Sequence, residues 1–281
     1  MDIEKIKEYY KQTQFEYRVM WNWNVKNIPA LHFGFYDEKA TNYKQALTRA
    51  NEALAEWAEI KHGSRIIDAG CGLGQSAAWL AQYYDATVTG ITLAPNQVEG
   101  ATKRIQKTGI SNVDFKEANY LQMPFEDNSV DVVWAFESVC YATDKHAFYQ
   151  EAFRVLKPGG KLVMAEYIRT TRPLSAPNEQ LLKEVFSGWM VVDLDTIEEH
   201  EQHSVTSGFT GFRFRDVTNN VLPSYKNLNQ LGKRFTWLAW LLRNTGIISG
   251  LRYQNMRDSM KQLDCIENDV FFYAHLTATK A

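Results

Sequence analysis

The chain has 281 residues, with 31 Lys+Arg against 33 Asp+Glu and a formal net charge of −2. That length suits one large domain with insertions, or a core plus a cap. The near-neutral balance excludes a global basic surface for a nucleic-acid backbone or an anionic membrane, and leaves only a local patch open. Aromatic residues make up 13% of the chain. They crowd residues 9–36 as Tyr9, Tyr10, Phe15, Tyr17, Trp21, Trp23, Phe33, Phe35 and Tyr36, where core packing is the plain reading.

Residues 2–25 and 43–61 read as helices. In the second, Ala46, Leu47, Ala50, Ala53, Leu54, Trp57 and Ala58 recur at helical spacing, and Asn42 stands where a cap belongs. Residues 28–37, with Pro29 and Gly34, form a loop. Strands are predicted at 65–69, 87–92, 113–117, 130–136 and 161–167, and helices at 76–84, 95–107 and 146–156, the last stopped by Pro158-Gly159-Gly160. Strands alternating with helices at this spacing imply a parallel, doubly wound sheet. Beyond residue 170 the alternation lapses into a helix at 178–188, a strand at 212–221, largely helical chain at 224–264 and a last strand at 269–279. The expected organisation is an N-terminal helical lid at 1–61 and a ligand-binding core at 62–169. Residues 170–281 then hold the remaining strands with an inserted helical cap.

Cys71, Cys140 and Cys265 lie far apart without metal-ligand spacing, and no apolar leader follows Met1. This fits a reduced, cytoplasmic protein. The apolar stretch 235–242 is far short of the roughly 20 residues of a membrane span.

Asp68-Ala69-Gly70-Cys71-Gly72-Leu73-Gly74 follows the first strand and opens a helix. Glycines there permit a sharp turn and close approach to a ligand, and amides at a helix start favour negative groups. A dinucleotide fingerprint would place Gly at position 75, which is Gln, so NAD is a poor fit. An acid two residues ahead of G-x-G-x-G suits S-adenosyl-L-methionine, whose methionine end carries both a carboxylate and an ammonium. A purely structural turn is the alternative.

Three segments together resemble the class I S-adenosylmethionine-dependent methyltransferase family. They are residues 66–74, Asn128-Ser129-Val130-Asp131-Val132-Val133-Trp134, and residues 154–162 around Pro158-Gly159-Gly160. The resemblance spans about residues 60–170. It implies that family's α/β, Rossmann-like fold of seven strands, mostly parallel with the last antiparallel, with N-terminal helices and a helical cap. It also implies S-adenosyl-L-methionine as cofactor. By position, Gly70, Gly72, Gly74 and Gln75 would line the methionine end, with Asp68 holding the loop or the ammonium. Where the second strand usually ends in an acid for the ribose hydroxyls, this chain has Thr92-Leu93, so Thr92 and Gln97 are the substitutes. Asn119-Tyr120 stands where an acid commonly meets the adenine amino group. Loop or cap roles are the alternative for Thr92, Gln97 and Asn119.

Gly90-Ile91-Thr92-Leu93-Ala94-Pro95-Asn96-Gln97 resembles a narrower branch that includes tocopherol, sterol C- and geranyl-diphosphate C-methyltransferases. The Tyr9-Tyr10 pair, Leu31-His32-Phe33-Gly34-Phe35-Tyr36, residues 136–141 and residues 215–223 also resemble that branch, the last as its penultimate strand. The resemblance implies methyl transfer to a small, largely apolar acceptor, with carbon methylation of an isoprenoid-like or alkene substrate favoured. Oxygen or nitrogen methylation, and a cofactor-binding protein without turnover, are the other readings. Attack by an alkene leaves a carbocation that needs an opposing charge and then a base. Glu137, at the end of the fourth strand, suits both, or else caps the following turn. Tyr10 resembles a lid residue over the cofactor, His32 is a second candidate base, and Trp21, Tyr141 and Phe235 are candidate acceptor contacts. In His200-Glu201-Gln202-His203 a solvated helical face outweighs metal ligation, and no metal is expected. Leu228, Leu231, Phe235, Leu238 and Leu242 among Lys226, Lys233 and Arg234 form an amphipathic pattern. It suits a cap over an apolar pocket, a homo-oligomer face or peripheral membrane contact.

Overall fold

The computed structural model describes residues 30–281. The helix predicted at 2–25, and with it Tyr9, Tyr10, Tyr17 and Trp21, lies outside the described residues. The first described helix, α1 (Tyr43–Ala58), starts where Asn42 accepts the Gln45 amide with its side chain, as its sequence position predicts.

Five strands occupy the first half of the sheet: β1 (Arg65–Ala69), β2 (Thr87–Thr92), β3 (Val113–Glu117), β4 (Val130–Phe136) and β5 (Leu156–Arg169). Helices α2 (Gln75–Tyr84), α3 (Pro95–Ile105) and α4 (Lys145–Val155) connect them. The chain continues through α5 (Ala176–Trp189), α6 (Ile197–Thr206), β6 (Phe209–Asp216), α7 (Thr218–Asn244), α8 (Gly250–Ser259), α9 (Lys261–Glu267) and β7 (Phe271–Lys280). The sheet order is β3-β2-β1-β4-β5-β7-β6. β1 to β5 are parallel, and β7 runs antiparallel between β5 and β6. This is the mostly parallel, seven-stranded sheet that the sequence predicts.

The order reverses between β1 and β4, so the connections leave in opposite directions there and open a crevice beyond the strand ends. β4 is buried along nearly its whole length, as an apolar run covered on both faces must be. Ile66, Trp134 and Val163 contribute to one core layer, and Ile67, Val133 and Leu162 to the layer on the other face.

Two predicted strands move most. β5 starts at Leu156 rather than 161, because Leu156 pairs with Val130 and Lys161 with Val132. The intervening Pro158-Gly159-Gly160 is thus a bulge within the strand, with Gly159 at φ +79°. The strand predicted at 212–221 runs instead from Phe209 to Asp216. Residues 218–223 are the opening turns of α7, with Pro223 inside that helix. Thr218 ties the start of α7 to β7 by accepting the Tyr273 amide on its side chain.

Candidate active site

A cavity opens at the switch point, lined by the β1–α2 loop, the ends of β2 and β4, Tyr120 beyond β3, Tyr167 of β5 and Trp189 at the end of α5. Leu31 and His32 close one side.

The glycine loop is built by backbone bonds. The amides of Gly70 and Cys71 both donate to the Ile91 carbonyl, at 2.9 and 3.0 Å, so neither is left for a ligand. Gly70 sits at φ +85°, and an added Cβ would stand 2.4 Å from the Ser138 Cβ. Its glycine is required by the approach of β1 to the turn after β4. Gly72 lines the cavity, but Gly74 does not. At φ +82° it is the residue before α2, and a Cβ there would meet the Phe115 ring at 2.4 Å. Helix–sheet packing therefore accounts for this glycine, which stands outside the cavity lining.

Asp68 is buried at the end of β1. One carboxylate oxygen takes the Ala77 amide, and burial still pushes its pKa up to about 7. Its Oδ2 has no hydrogen-bond partner among the described residues. A buried, unsatisfied carboxylate oxygen beside a cavity is costly unless a cation meets it. The ammonium of S-adenosylmethionine fits that requirement.

Thr92 and Gln97 line the cavity with Leu93 and Ala94. The Thr92 hydroxyl donates to Gln97 Oε1 at 2.6 Å and accepts the Ala94 amide at 3.3 Å. That leaves the Gln97 NH2 as the pair's remaining donor group. Asn119 falls outside the lining, and its side chain accepts the Leu121 amide as an ordinary turn cap. Tyr120 does line the cavity, with its hydroxyl donating to the Ser138 carbonyl at 3.0 Å.

Glu137 stands just past β4 in a left-handed conformation, φ +49°, which is uncommon for a residue with a Cβ. Its Oε1 accepts the Phe33 amide at 2.8 Å and the Tyr273 hydroxyl at 2.7 Å, and Oε2 accepts the Tyr167 hydroxyl at 2.7 Å. Desolvation raises its pKa, and the opposing field of His32 and the three donors do not cancel that rise. Capping of the following turn falls to Glu166, whose Oε2 accepts the Val139 and Cys140 amides. Burial lifts the Glu166 pKa to about 7. The nearby Glu137 carboxyl adds to that rise.

His32 Nδ1 lies 2.9 Å from the Phe33 carbonyl oxygen, and Nε2 lies 3.0 Å from Gln75 Oε1 and 3.3 Å from Asn51 Nδ2. Its ring sits 4.3 Å from that of Phe136. Tyr141 lines the cavity. Phe33 is buried beneath it against Tyr225 and Trp189. Phe33 and Phe35 are therefore core residues, as the plain reading of the aromatic stretch has it. Phe235, the expected acceptor contact, is 40% exposed on α7 and is not among the residues lining this cavity.

Sequence reasoning missed Tyr167, Trp189, Glu166 and Tyr273. Glu166 had a readable signal as a single acid inside the apolar run Val163-Met164-Ala165-Glu166-Tyr167-Ile168. The other three carry no local mark. Of the expected solvated face, Glu198, Glu201 and Gln202 are exposed, whereas His200 is fully buried with its Nδ1 2.9 Å from the Tyr149 hydroxyl oxygen. His203 pairs with Asp195 at 3.0 Å.

A glycine loop and an orphaned carboxylate at the switch point of this sheet define a cofactor-binding α/β protein of the methyltransferase type. The family model described as "Methyltransferase domain" matches residues 67–164. The chain is 34% identical over 198 residues to 27-O-demethylrifamycin SV methyltransferase of Amycolatopsis mediterranei, covering 69% of this chain and 72% of that protein. It is 38% identical over 129 residues to a sterol 24-C-methyltransferase of Aspergillus fumigatus, covering 46% of this chain and 34% of that protein. A solved geranyl diphosphate methyltransferase superposes with a TM-score of 0.79 at 20% identity, over 99% of each chain, a likeness of fold. The chain belongs to the class I S-adenosylmethionine-dependent methyltransferases and is an enzyme of that family.

Proposed function

We propose that the enzyme methylates a carbon of a small, largely apolar acceptor, of alkene or isoprenoid-like character. The observation that carries this reading is a buried carboxylate, Glu137, facing a cavity rimmed by Phe136, Tyr141, Tyr167 and Trp189. Among the described residues no Lys or Arg lines that cavity. An anionic acceptor would therefore meet only carboxylates and ring faces there, whereas a developing cation would be favoured by both. Of the arginines that a diphosphate would call on, Arg172 is paired with Asp193 and Glu199, and Arg215 donates to the Ala53 carbonyl.

When bound, S-adenosylmethionine supplies the electrophilic methyl group of its sulfonium. In the proposed assignment Asp68 holds the ammonium, Gly72 and Gln75 flank the methionine end, and Gln97 donates its NH2 toward the ribose with Thr92 steering it. Tyr120 and Leu93 form the adenine side. Positioning of two reactants in such a cleft can account for roughly 7–11 kcal/mol of a barrier. Glu137 opposes positive charge on the acceptor and then takes the proton lost from it. Oε1 already accepts two donors, so Oε2, with only the Tyr167 hydroxyl, has the lone pair left for that proton. The raised pKa makes the carboxylate a better base than an exposed glutamate.

A second reading, oxygen methylation, is favoured by the likeness to the 34%-identical 27-O-demethylrifamycin SV methyltransferase. His32 would then be the base at the cavity edge. Incubation with methyl-labelled cofactor and an acceptor panel, followed by location of the label, decides between them. Label on a carbon supports the proposed reaction, and label on oxygen overturns it.

A further inference from the structure

We propose that the second half of α7 docks the enzyme onto a bilayer surface that carries anionic phospholipid. Between Asp216 and Asp258 the chain contains no acidic residue and six cations: Lys226, Lys233, Arg234, Arg243, Arg252 and Arg257. The chain as a whole carries a net charge of −2, so positive charge is gathered here while the remainder is acidic. Lys226, Lys233, Arg234 and Arg243 make no ion pair with a carboxylate among the described residues. Arg234 instead lies 6.0 Å from the Phe235 ring and Arg243 5.2 Å from the Tyr253 ring.

Large apolar side chains stand among these cations. Trp237 is 65% exposed, Trp240 54%, Leu241 45% and Ile247 66%. Arg234, Trp237 and Leu241 follow an i, i+3, i+7 row, and Gly232 and Ala239 on the other side of the helix are buried. Gly232 fixes this orientation, because an added Cβ would stand 2.4 Å from Met260 Cγ. The indoles are thus turned outward by packing and not by chance of rotamer.

Charge decides which partner fits. A second copy presenting the same face would set these cations against their own images, which costs rather than stabilises. The boundary of an anionic bilayer offers headgroup charge to the Lys and Arg side chains and a region where indoles and aliphatic groups are favoured together. Among the described residues no helix is long and apolar enough to cross a membrane, so the contact is peripheral. The first half of α7 packs on the cavity loop, with Ser224 bonded to both the amide and carbonyl of Gly34 and Tyr225 against Phe33. On the apolar acceptor proposed above, docking through the second half brings the enzyme to the source of that acceptor.

The test is flotation of the full chain with vesicles of phosphatidylcholine alone or with added phosphatidylserine. At least tenfold more protein should float with the anionic vesicles, and raised salt should reverse most of it. The double variants Trp237→Ala with Trp240→Ala, and Lys233→Glu with Arg234→Glu, should each lose that excess. Both should keep the wild-type melting temperature and cofactor affinity, since none of these side chains touches the cavity. Equal flotation with both vesicle types overturns the proposal. So does light scattering that shows a dimer dissolved by the tryptophan variant, because the face would then be covered by a second copy.

Discussion

The two sides of the cavity are assembled by different means. The proposed cofactor side is local: Asp68 to Gln75 runs from the end of β1 through one loop into α2, and Thr92 and Gln97 bond across five positions. The proposed acceptor side is distant: Glu137 is held by Tyr167, Phe33 and Tyr273, which lie 30, 104 and 136 positions away. A loop that shapes itself can be kept while its surroundings change. A carboxylate held by three remote donors depends on β4, β5, β7 and the 31–36 loop arriving together. Substitutions on the acceptor side should therefore change turnover, and those on the cofactor side should change binding.

The widest separation is expected at Glu137. Glu137→Gln should lower methyl transfer by roughly 10²- to 10⁴-fold, the range for removing a general base, while cofactor affinity by calorimetry stays within about twofold. Parallel loss of both would erase the distinction between the two sides. Asp68→Ala should do the reverse and weaken cofactor binding by roughly 100-fold, since it removes one partner of a buried charge pair.

The same aspartate sets a pH dependence. Its folded-state pKa is raised from 3.8 to about 7 by burial, so in the free enzyme it is protonated below that value and ionised above it. Cofactor affinity should fall as pH drops through about 7 and level off above it. Asp68→Asn should flatten this profile, and a slope that persists in the variant would assign the titration to another group.

Gly70→Ala sharpens the structural side of the comparison. With φ at +85° and a Cβ 2.4 Å from Ser138, it should lower unfolding free energy by roughly 2–3 kcal/mol in denaturant titration. An unchanged midpoint would mean that the loop yields easily. The smallest effect is expected at Tyr273→Phe, which removes one of three donors and costs about 1–2 kcal/mol of transition-state stabilisation. Loss of a donor disfavours the Glu137 anion, so the acidic limb of the pH–rate profile should move to higher pH. An unmoved limb would separate Tyr273 from the proton transfer.

Legibility in the sequence follows the same division. β1 to β4 begin and end where apolar periodicity and turn residues place them, because each is a short buried run bounded by its own punctuation. The strand at Phe209–Asp216 was misplaced for a physical reason. It lies near the sheet edge with most of its residues exposed or half-buried, so burial imposes no clear alternation on it. The glycine loop is readable as a motif, yet the division of labour within it is not. Only the approach of Phe115 shows that Gly74 packs a helix, and only the Ile91 carbonyl shows that the Gly70 amide is occupied.

By itself, the sequence determined the class of fold, the place of the glycine loop and the absence of an acid after β2, since these rest on neighbours a few positions apart. Tertiary structure decided the rest of the candidate site. It joined Glu137 to Tyr167 and Tyr273, brought Trp189 to the rim, gave the turn after β4 to Glu166 and turned Phe235 away from the cavity. Contacts between residues a hundred positions apart have no period and no spacing. They exist only once the sheet has set its strand order.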